Sequence, residues 1–196
     1  MMVKGQEPIV TEAVELVKSG DAEAFRLIIR KYKAPAYTIA YRILRNAEDA
    51  EETVQDAFFK AYKKIHQYNG DSKFSSWFLK IVYNLSLTKT RKKRIYTLEI
   101  NEDIDKNLNN NLTKNNGWEQ IAQSERKKYV KNAIAKLNDE DAMVITLYYI
   151  SENSIPEICD ITGWSLSSAK VKLHRARHKL HASLFSLLKF EMKELI

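Results

Sequence analysis

One cysteine, Cys159, stands in 196 residues, so no internal disulfide can form, and a single thiol fits a reducing compartment. Set among Ile155, Ile158 and Ile161, it reads as a small buried hydrophobe rather than a redox sensor. No run of about 18 apolar residues occurs, and MMVKGQEPIV lacks the apolar stretch of a secretory leader. A soluble cytoplasmic protein without membrane insertion is therefore expected. There is no internal repeat, Walker loop, dinucleotide fingerprint or nucleophile elbow. His174, His178 and His181 share one helical face, but the Glu of a zincin pair and a second Cys are both missing. No metal, no cofactor and no catalytic residue are expected.

What the chain has is positive charge. Thirty-two Lys and Arg against 25 Asp and Glu leave a net +7 and a pI near 9.3, which favours an anionic partner, phosphate above all. Residues 1–100 carry 18 basic against 12 acidic side chains, residues 101–125 carry 2 against 5, and residues 126–196 carry 12 against 8. The acidic middle, NEDIDKNLNNNLTKNNG, is rich in Asn, with Ile104, Leu108 and Leu112 as its sizeable apolar side chains. That is too little to offset the entropy of ordering it, so it reads as a flexible linker.

Helical periodicity runs through nearly everything else. Ile9, Val10, Ala13, Val14 and Val17 recur at three and four and stop at Gly20. Asp21 caps a longer segment through Phe25, Ile28, Ile29, Tyr32, Ile39 and Ile43, which Pro35 is expected to kink or break near Lys33 or Ala34. Asn46 opens a helix with Glu48, Asp49, Glu51 and Glu52 in its first turns and Lys60, Lys63 and Lys64 in its last, both favoured by the helix dipole. Ala50, Val54, Ala57, Ala61 and Ile65 form its core face, while Glu52, Gln55, Asp56 and Phe59 point elsewhere. Residues 119–137 make a further amphipathic helix, and Asn138 or Asp139 starts the next.

Two stretches carry the functional signal. The first is HQYNGDSKFSSWFLKIVYNLSLTKTRKKR, a turn at Asn69-Gly70 followed by a helix from about Phe74 that ends in Lys89, Arg91, Lys92, Lys93 and Arg94. A solvated helix end would suit two such cations better than five, so a polyanion is favoured there. Tyr68, Phe74, Trp77 and Tyr83 place rings near that charge, as in sites that stack unpaired bases, although Trp77 could equally be core. The second stretch is SIPEICDITGWSLSSAKVKLHRARHKL. A short helix to Thr162, a left-handed turn at Gly163 and a cap at Ser165 have helix-turn-helix spacing. Leu166, Ala169, Leu173, Ala176 and Leu180 form the packing seam. Ser167, Ser168, Lys170, Val171, His174 and Arg175 project outward, where a recognition helix reaches base edges, and Lys172, Arg177 and Lys179 suit phosphates. Val171 is apolar and suits a thymine methyl.

Taken in order, SGDAEAF, AEDAEETVQDAFFKAY, YNGDSKFSSWFLKIVYN and the helix-turn-helix with LHRARHKL resemble the bacterial sigma factors of the extracytoplasmic-function (ECF) group over nearly the whole chain. The resemblance implies an all-α protein of two small helical domains joined by a flexible linker, the C-terminal one a helix-turn-helix. Sigma domain two would span 1–98, the linker 99–118 and sigma domain four 119–196. The function implied is a transcription initiation factor that binds core RNA polymerase, directs it to specific promoters and helps melt the minus-ten element. By position, Asp49, Glu52, Gln55 and Asp56 would dock on the polymerase β′ clamp. Tyr68, Asn69, Gly70, Asp71, Ser72, Lys73, Trp77, Lys80, Asn84 and Arg91 would read the minus-ten element. Ser167, Ser168, Lys170, Val171, Lys172, His174, Arg175, Arg177 and Lys179 would read the minus-thirty-five element. Further partners implied are the β flap and an anti-sigma factor; the apolar tail ASLFSLLKFEMKELI is expected to cover the back domain, with contact to such a partner as the alternative. The competing reading is a stand-alone helix-turn-helix regulator with a helical sensor or dimerisation domain.

Overall fold

A computed structural model describes residues 8–100 and 129–194, and among them there is no strand. Residues 101–128, which hold the linker apart from its first two positions and the first part of the 119–137 helix, lie outside the described residues. The first helix, α1, spans Pro8–Lys18 and buries Val10, Ala13, Val14 and Val17, with Pro8 where its missing N–H costs nothing. The chain turns at Gly20, whose φ of 108° would strain any other residue. The Asp21 carboxylate then accepts the backbone N–H groups of Glu23, at 2.9 Å, and Ala24, at 3.4 Å. After that single 3₁₀ turn, α2 spans Phe25–Leu44.

Pro35 does not break α2. The helix runs through it, and Pro35 itself is buried with Ile28, Tyr32, Ala36, Ile39 and Ala40. A proline inside a helix costs about 3 kcal/mol, and burying several large apolar side chains at about 1.5–3 kcal/mol each outweighs that. Arg45 ends α2 in the left-handed conformation, and Asn46 caps α3, Ala47–Lys63, by accepting the Asp49 N–H at 2.8 Å. A 3₁₀ turn at Ile65–Gln67 and an irregular loop lead to α4, Phe74–Ile100. Helices α2, α3 and α4 enclose an aromatic centre in which Phe58 stacks on Phe78 at 4.6 Å and Tyr32 leans on Phe74 and Phe78.

The C-terminal half begins, as described, with α5 over 129–135. Asn138 accepts the Asp141 N–H at 2.9 Å and so opens α6, Asp139–Ile145, which continues into a π turn, Thr146–Ile150. A capping box between Ser154 and Glu157 starts α7, Ile155–Thr162, and Gly163, at φ 74°, ends it. Ser165 caps α8, Leu166–Glu194, by accepting the Ser168 N–H at 3.2 Å. Ala169, Leu173 and Ala176 are buried and Leu180 packs against the core, but Leu166 is half exposed and does not belong to the seam. It sits in the first helical turn, before α8 has reached α7. Cys159 is also only partly buried, because it lies on the flank of α7 beside the buried Ile158.

The two halves touch. Arg42 of α2 donates to the carbonyls of Leu137, Ile134 and Ala135 at 2.9, 3.0 and 3.2 Å, and approaches the Asp139 carboxylate at 3.5 Å. Arg45 also pairs with Asp139. From α4, the Ser75 and Ser76 hydroxyls both donate to Asn153 Oδ1 at 2.9 Å. Lys73 donates to the Glu152 carbonyl and lies 3.7 Å from the Glu157 carboxylate.

Candidate nucleic-acid interface

The turn at Gly163 and the cap at Ser165 aim the first turns of α8 outward. Ser167, Lys170, Val171, His174 and Arg175 are exposed there, and Ser168 is half-buried. Val171 keeps 55% of its surface accessible, which no packing requirement explains. The cations expected to meet phosphates are less free. Lys172 pairs with Glu140 and lies over the Trp164 ring at 4.9 Å. Lys179 pairs with the buried Asp141. Arg177 covers the Tyr148 and Tyr149 rings at 5.1 and 5.6 Å. Lys172 and Lys179 thus also brace α8 on α6. His174 meets His178 edge-on at 4.6 Å, and among the described residues no cluster of metal-ligating side chains forms.

The acidic side of α3 is the second surface. Glu52, Gln55 and Asp56 are exposed. Asp49 is not open in the same way: its carboxylate pairs with Lys89 and Lys93 of α4, and Glu52 holds Lys89 at 2.6 Å. The hydrogen bond from Lys93 pulls the Asp49 carboxyl below the ordinary range, more than burial raises it. For Lys89, burial works against the charge, but the Glu52 and Asp49 carboxylates outweigh it and raise its pKa. Part of the cation run at the end of α4 is therefore neutralised within the protein, by carboxylates of α3. Phe59 is 60% exposed on the same face, beneath Lys63 at 4.2 Å. It had no place among the expected docking residues. The signal was the pair Phe58-Phe59, of which an amphipathic helix can bury only one.

The third surface is the loop before α4 and that helix's outer stripe. Asn69 and Asp71 are bonded to each other across Gly70, whose φ is 82°. Lys80, Asn84 and Arg91 are exposed on α4 at spacings that keep them on one side. Tyr68 departs from the expectation that it stacks a base. It is buried, its hydroxyl donates to the Ser72 carbonyl at 2.7 Å, and its ring packs on Phe74 and Trp77. It shapes the loop instead. Trp77 is half-buried, and Ser72 and Lys73 are partly covered.

Both halves match known proteins. Residues 28–95 match the Sigma-70 region 2 family and residues 127–180 the Sigma-70, region 4 family. The ECF RNA polymerase sigma factor SigW of Bacillus subtilis is 30% identical over 186 residues, covering 92% of this chain and all of that protein. The chain belongs to the ECF RNA polymerase sigma factors. It is thus a transcription initiation factor that binds core RNA polymerase and directs it to promoters. The ECF RNA polymerase sigma-E factor of Escherichia coli is 25% identical over 181 residues, covering 90% of this sigma factor and 94% of that one. Among solved structures, the sigma factor RpoE in complex with the anti-sigma factor NepR, from Bartonella quintana, shares the fold at a TM-score of 0.59 and 19% identity. That match covers 83% of this chain and 98% of that one. CnrH in complex with the cytosolic domain of CnrY gives 0.52 at 20% identity, covering 89% and 96%. Among the described residues no helix is long and apolar enough to cross a membrane.

Proposed function

We propose that the sigma factor divides its work among these three surfaces, with domain two over 1–98, a linker over 99–118 and domain four over 119–196. Glu52, Gln55, Asp56 and Phe59 dock on the β′ clamp, with Asp49 fixing the helix behind them. Asn69, Gly70, Asp71, Ser72, Lys73, Trp77, Lys80, Asn84 and Arg91 open the minus-ten element, for which Tyr68 holds the loop. Unpairing costs a few kcal/mol per base, and stacking of about 1–3 kcal/mol per base offsets it. Ser167, Ser168, Lys170, Val171, His174 and Arg175 read the minus-thirty-five element, supported by Lys172, Arg177 and Lys179. The observation that carries this reading is the outward stripe of α8, where exposed Lys170, Val171 and Arg175 sit behind a capped, glycine-turned entry.

An open apolar groove of about 610 Å³, lined by Ile134, Ile145, Tyr149, Ile150, Leu180 and Leu184, is the seat for the β flap. Tyr149 and Ile150 are each 49% exposed there. The protein works in the cytoplasm without chemistry of its own, and an anti-sigma factor holds it inactive, as the partners of its structural neighbours suggest. The test is transcription in vitro with purified core polymerase. The sigma factor should bind core without DNA and start transcripts at defined promoters, and Asp56→Lys with Phe59→Ala should weaken core binding while leaving the melting temperature unchanged. Tight operator binding by the free protein, with no affinity for core, would support a stand-alone regulator instead.

A further inference from the structure

Of the three α8 cations that suit phosphates, two are held by carboxylates and one by rings alone. Lys172 pairs with Glu140, with the Trp164 ring beneath it, and Lys179 pairs with Asp141. The Arg177 guanidinium instead lies over the Tyr148 ring at 5.1 Å and the Tyr149 ring at 5.6 Å. The two rings meet edge to face at 4.9 Å. A carboxylate neutralises the cation that it holds. A ring face attracts a cation through its quadrupole and leaves the charge, and the N–H groups turned away from the ring, free for an anion. Arg177 is thus held in place and still exposed.

The holder is a local departure from the α-helix. At its end α6 widens into the π turn Thr146–Ile150, where the Ser151 N–H reaches back five residues to the Thr146 carbonyl at 2.9 Å. Thr146 and Leu147 are buried in that turn, Tyr148 packs partly against the core, and Tyr149 is 49% exposed. One ring is therefore anchored and the other stands outside it. Such turns are rare and recur at functional sites. Arg177 follows Lys170 by seven residues and His174 by three, which keeps all three on one stripe of α8. It stands about 10 Å beyond Lys170 along the helix axis. The major groove is about 12 Å wide, so a helix that enters it by Lys170 brings a side chain that far along to the phosphate wall.

We propose that Tyr148 and Tyr149 are positioning residues for promoter binding, whose rings fix Arg177 in advance for a backbone phosphate beside the minus-thirty-five element. This rests on the assignment of α8 to that element. An unsupported arginine gives up many rotamers when it meets a phosphate, and one already laid on two rings has fewer left to lose. The arrangement strengthens binding without adding sequence preference, since a phosphate carries none.

The test is binding of the assembled holoenzyme to a duplex promoter mapped by transcription in vitro. Leu at each tyrosine keeps an apolar side chain without a π face, and Phe keeps the face without the hydroxyl. Tyr148→Leu with Tyr149→Leu should weaken binding about two- to fivefold, the range of an exposed cation–π contact, and Tyr148→Phe with Tyr149→Phe should leave it unchanged. In an Arg177→Ala background the Leu pair should have no further effect. A loss as large without Arg177 as with it would overturn the positioning role, because the tyrosines would then act through packing alone. Leu variants that bind as tightly as wild type would overturn it too. Tyr149 also lines the groove assigned to the β flap, whereas Tyr148 does not. Affinity for core polymerase is therefore measured on the same variants, and should the pair fail to fold or to bind core, Tyr148→Leu alone gives the same comparison. Arg177→Ala by itself checks the assignment beneath the proposal: it should lower the slope of log K against log salt by about 0.9. An unchanged slope would remove Arg177 from the phosphate contacts and the proposal with it. A lowered slope with no effect of the rings would leave the assignment standing and sink the positioning role alone.

Discussion

Helix α4 and helix α8 each carry a dense run of cations, and the two runs meet the same fate. On α4, Lys89 and Lys93 are taken up by Asp49 and Glu52 of α3, while Arg91 and Lys92 remain exposed. On α8, Lys172 and Lys179 are taken up by Glu140 and Asp141 of α6, while Lys170 and Arg175 remain exposed. In both places a basic helix lies on an acidic one, which ties the cations on the inner flank and leaves those on the outer stripe. A charge run thus contains two populations, one that braces the fold and one left exposed on the side proposed to meet DNA. They differ by helical phase, not by residue type.

The comparison breaks most visibly if the outer population is removed. Replacing Lys170 and Arg175 together by Ala should cost about 1–3 kcal/mol of promoter binding for each side chain that reads a base edge. Footprinting at the minus-thirty-five element would read that loss, with thermal stability unaffected. Loss of stability instead of binding would place these two side chains in the bracing population. Removing the inner population should give the reverse pattern at smaller scale. Lys172→Ala with Lys179→Ala should destabilise the C-terminal half by about 0.2–1 kcal/mol for the exposed pair and more where Asp141 is left buried without its cation. The salt dependence of promoter binding should flatten only slightly, because each phosphate that a cation neutralises adds about 0.9 to the slope of log K against log salt. A slope shallower by about twice that amount would show that both lysines leave their carboxylates for DNA.

How much of this was legible in sequence follows from the range of the interactions involved. The helix starts at Asn46 and Ser165 depend on bonds spanning three residues and lie where the pattern puts them; of Asn138 and Asp139 it is Asn138 that caps, and the equally local cap at Ser154 is one the sequence reading does not single out. The turn at Gly163 is equally local. Pro35 defies a local reading because its penalty is overruled by burial against α3 and α4, which no window around residue 35 contains. Tyr68 has the sequence surroundings of a base platform and is core for the same reason: Phe74 and Trp77 close over it only once α4 has docked. The pairs Lys89–Glu52 and Lys172–Glu140 span 37 and 32 residues, and Arg42 meets Leu137 across 95. Helical periodicity reports which face is buried but not which neighbour buries it. Which side of each helix is exposed could accordingly be read in advance, while the partner that each side chain meets could not.

The smallest effect separates the two runs by pH. Asp49 is held by Lys93 and Lys89 with its pKa below that of an ordinary carboxyl. The stability it contributes is therefore fully present above the unfolded value, about 3.9, and is lost as pH falls through the lower folded value. For pairs this close to solvent the contribution is of the order of 1 kcal/mol or less. Urea midpoints of the wild type and Asp49→Asn should differ at pH 7 and converge as the pH is lowered below about 4, with the difference at neutral pH shrinking in high salt. A gap that stays constant with pH would mean that Asn at this position disturbs the packing of α3 on α4 rather than removing a charge pair. Convergence would show that the end of α4 is held to α3 by charge, which keeps Arg91 exposed on the same side of α4 as Lys80 and Asn84.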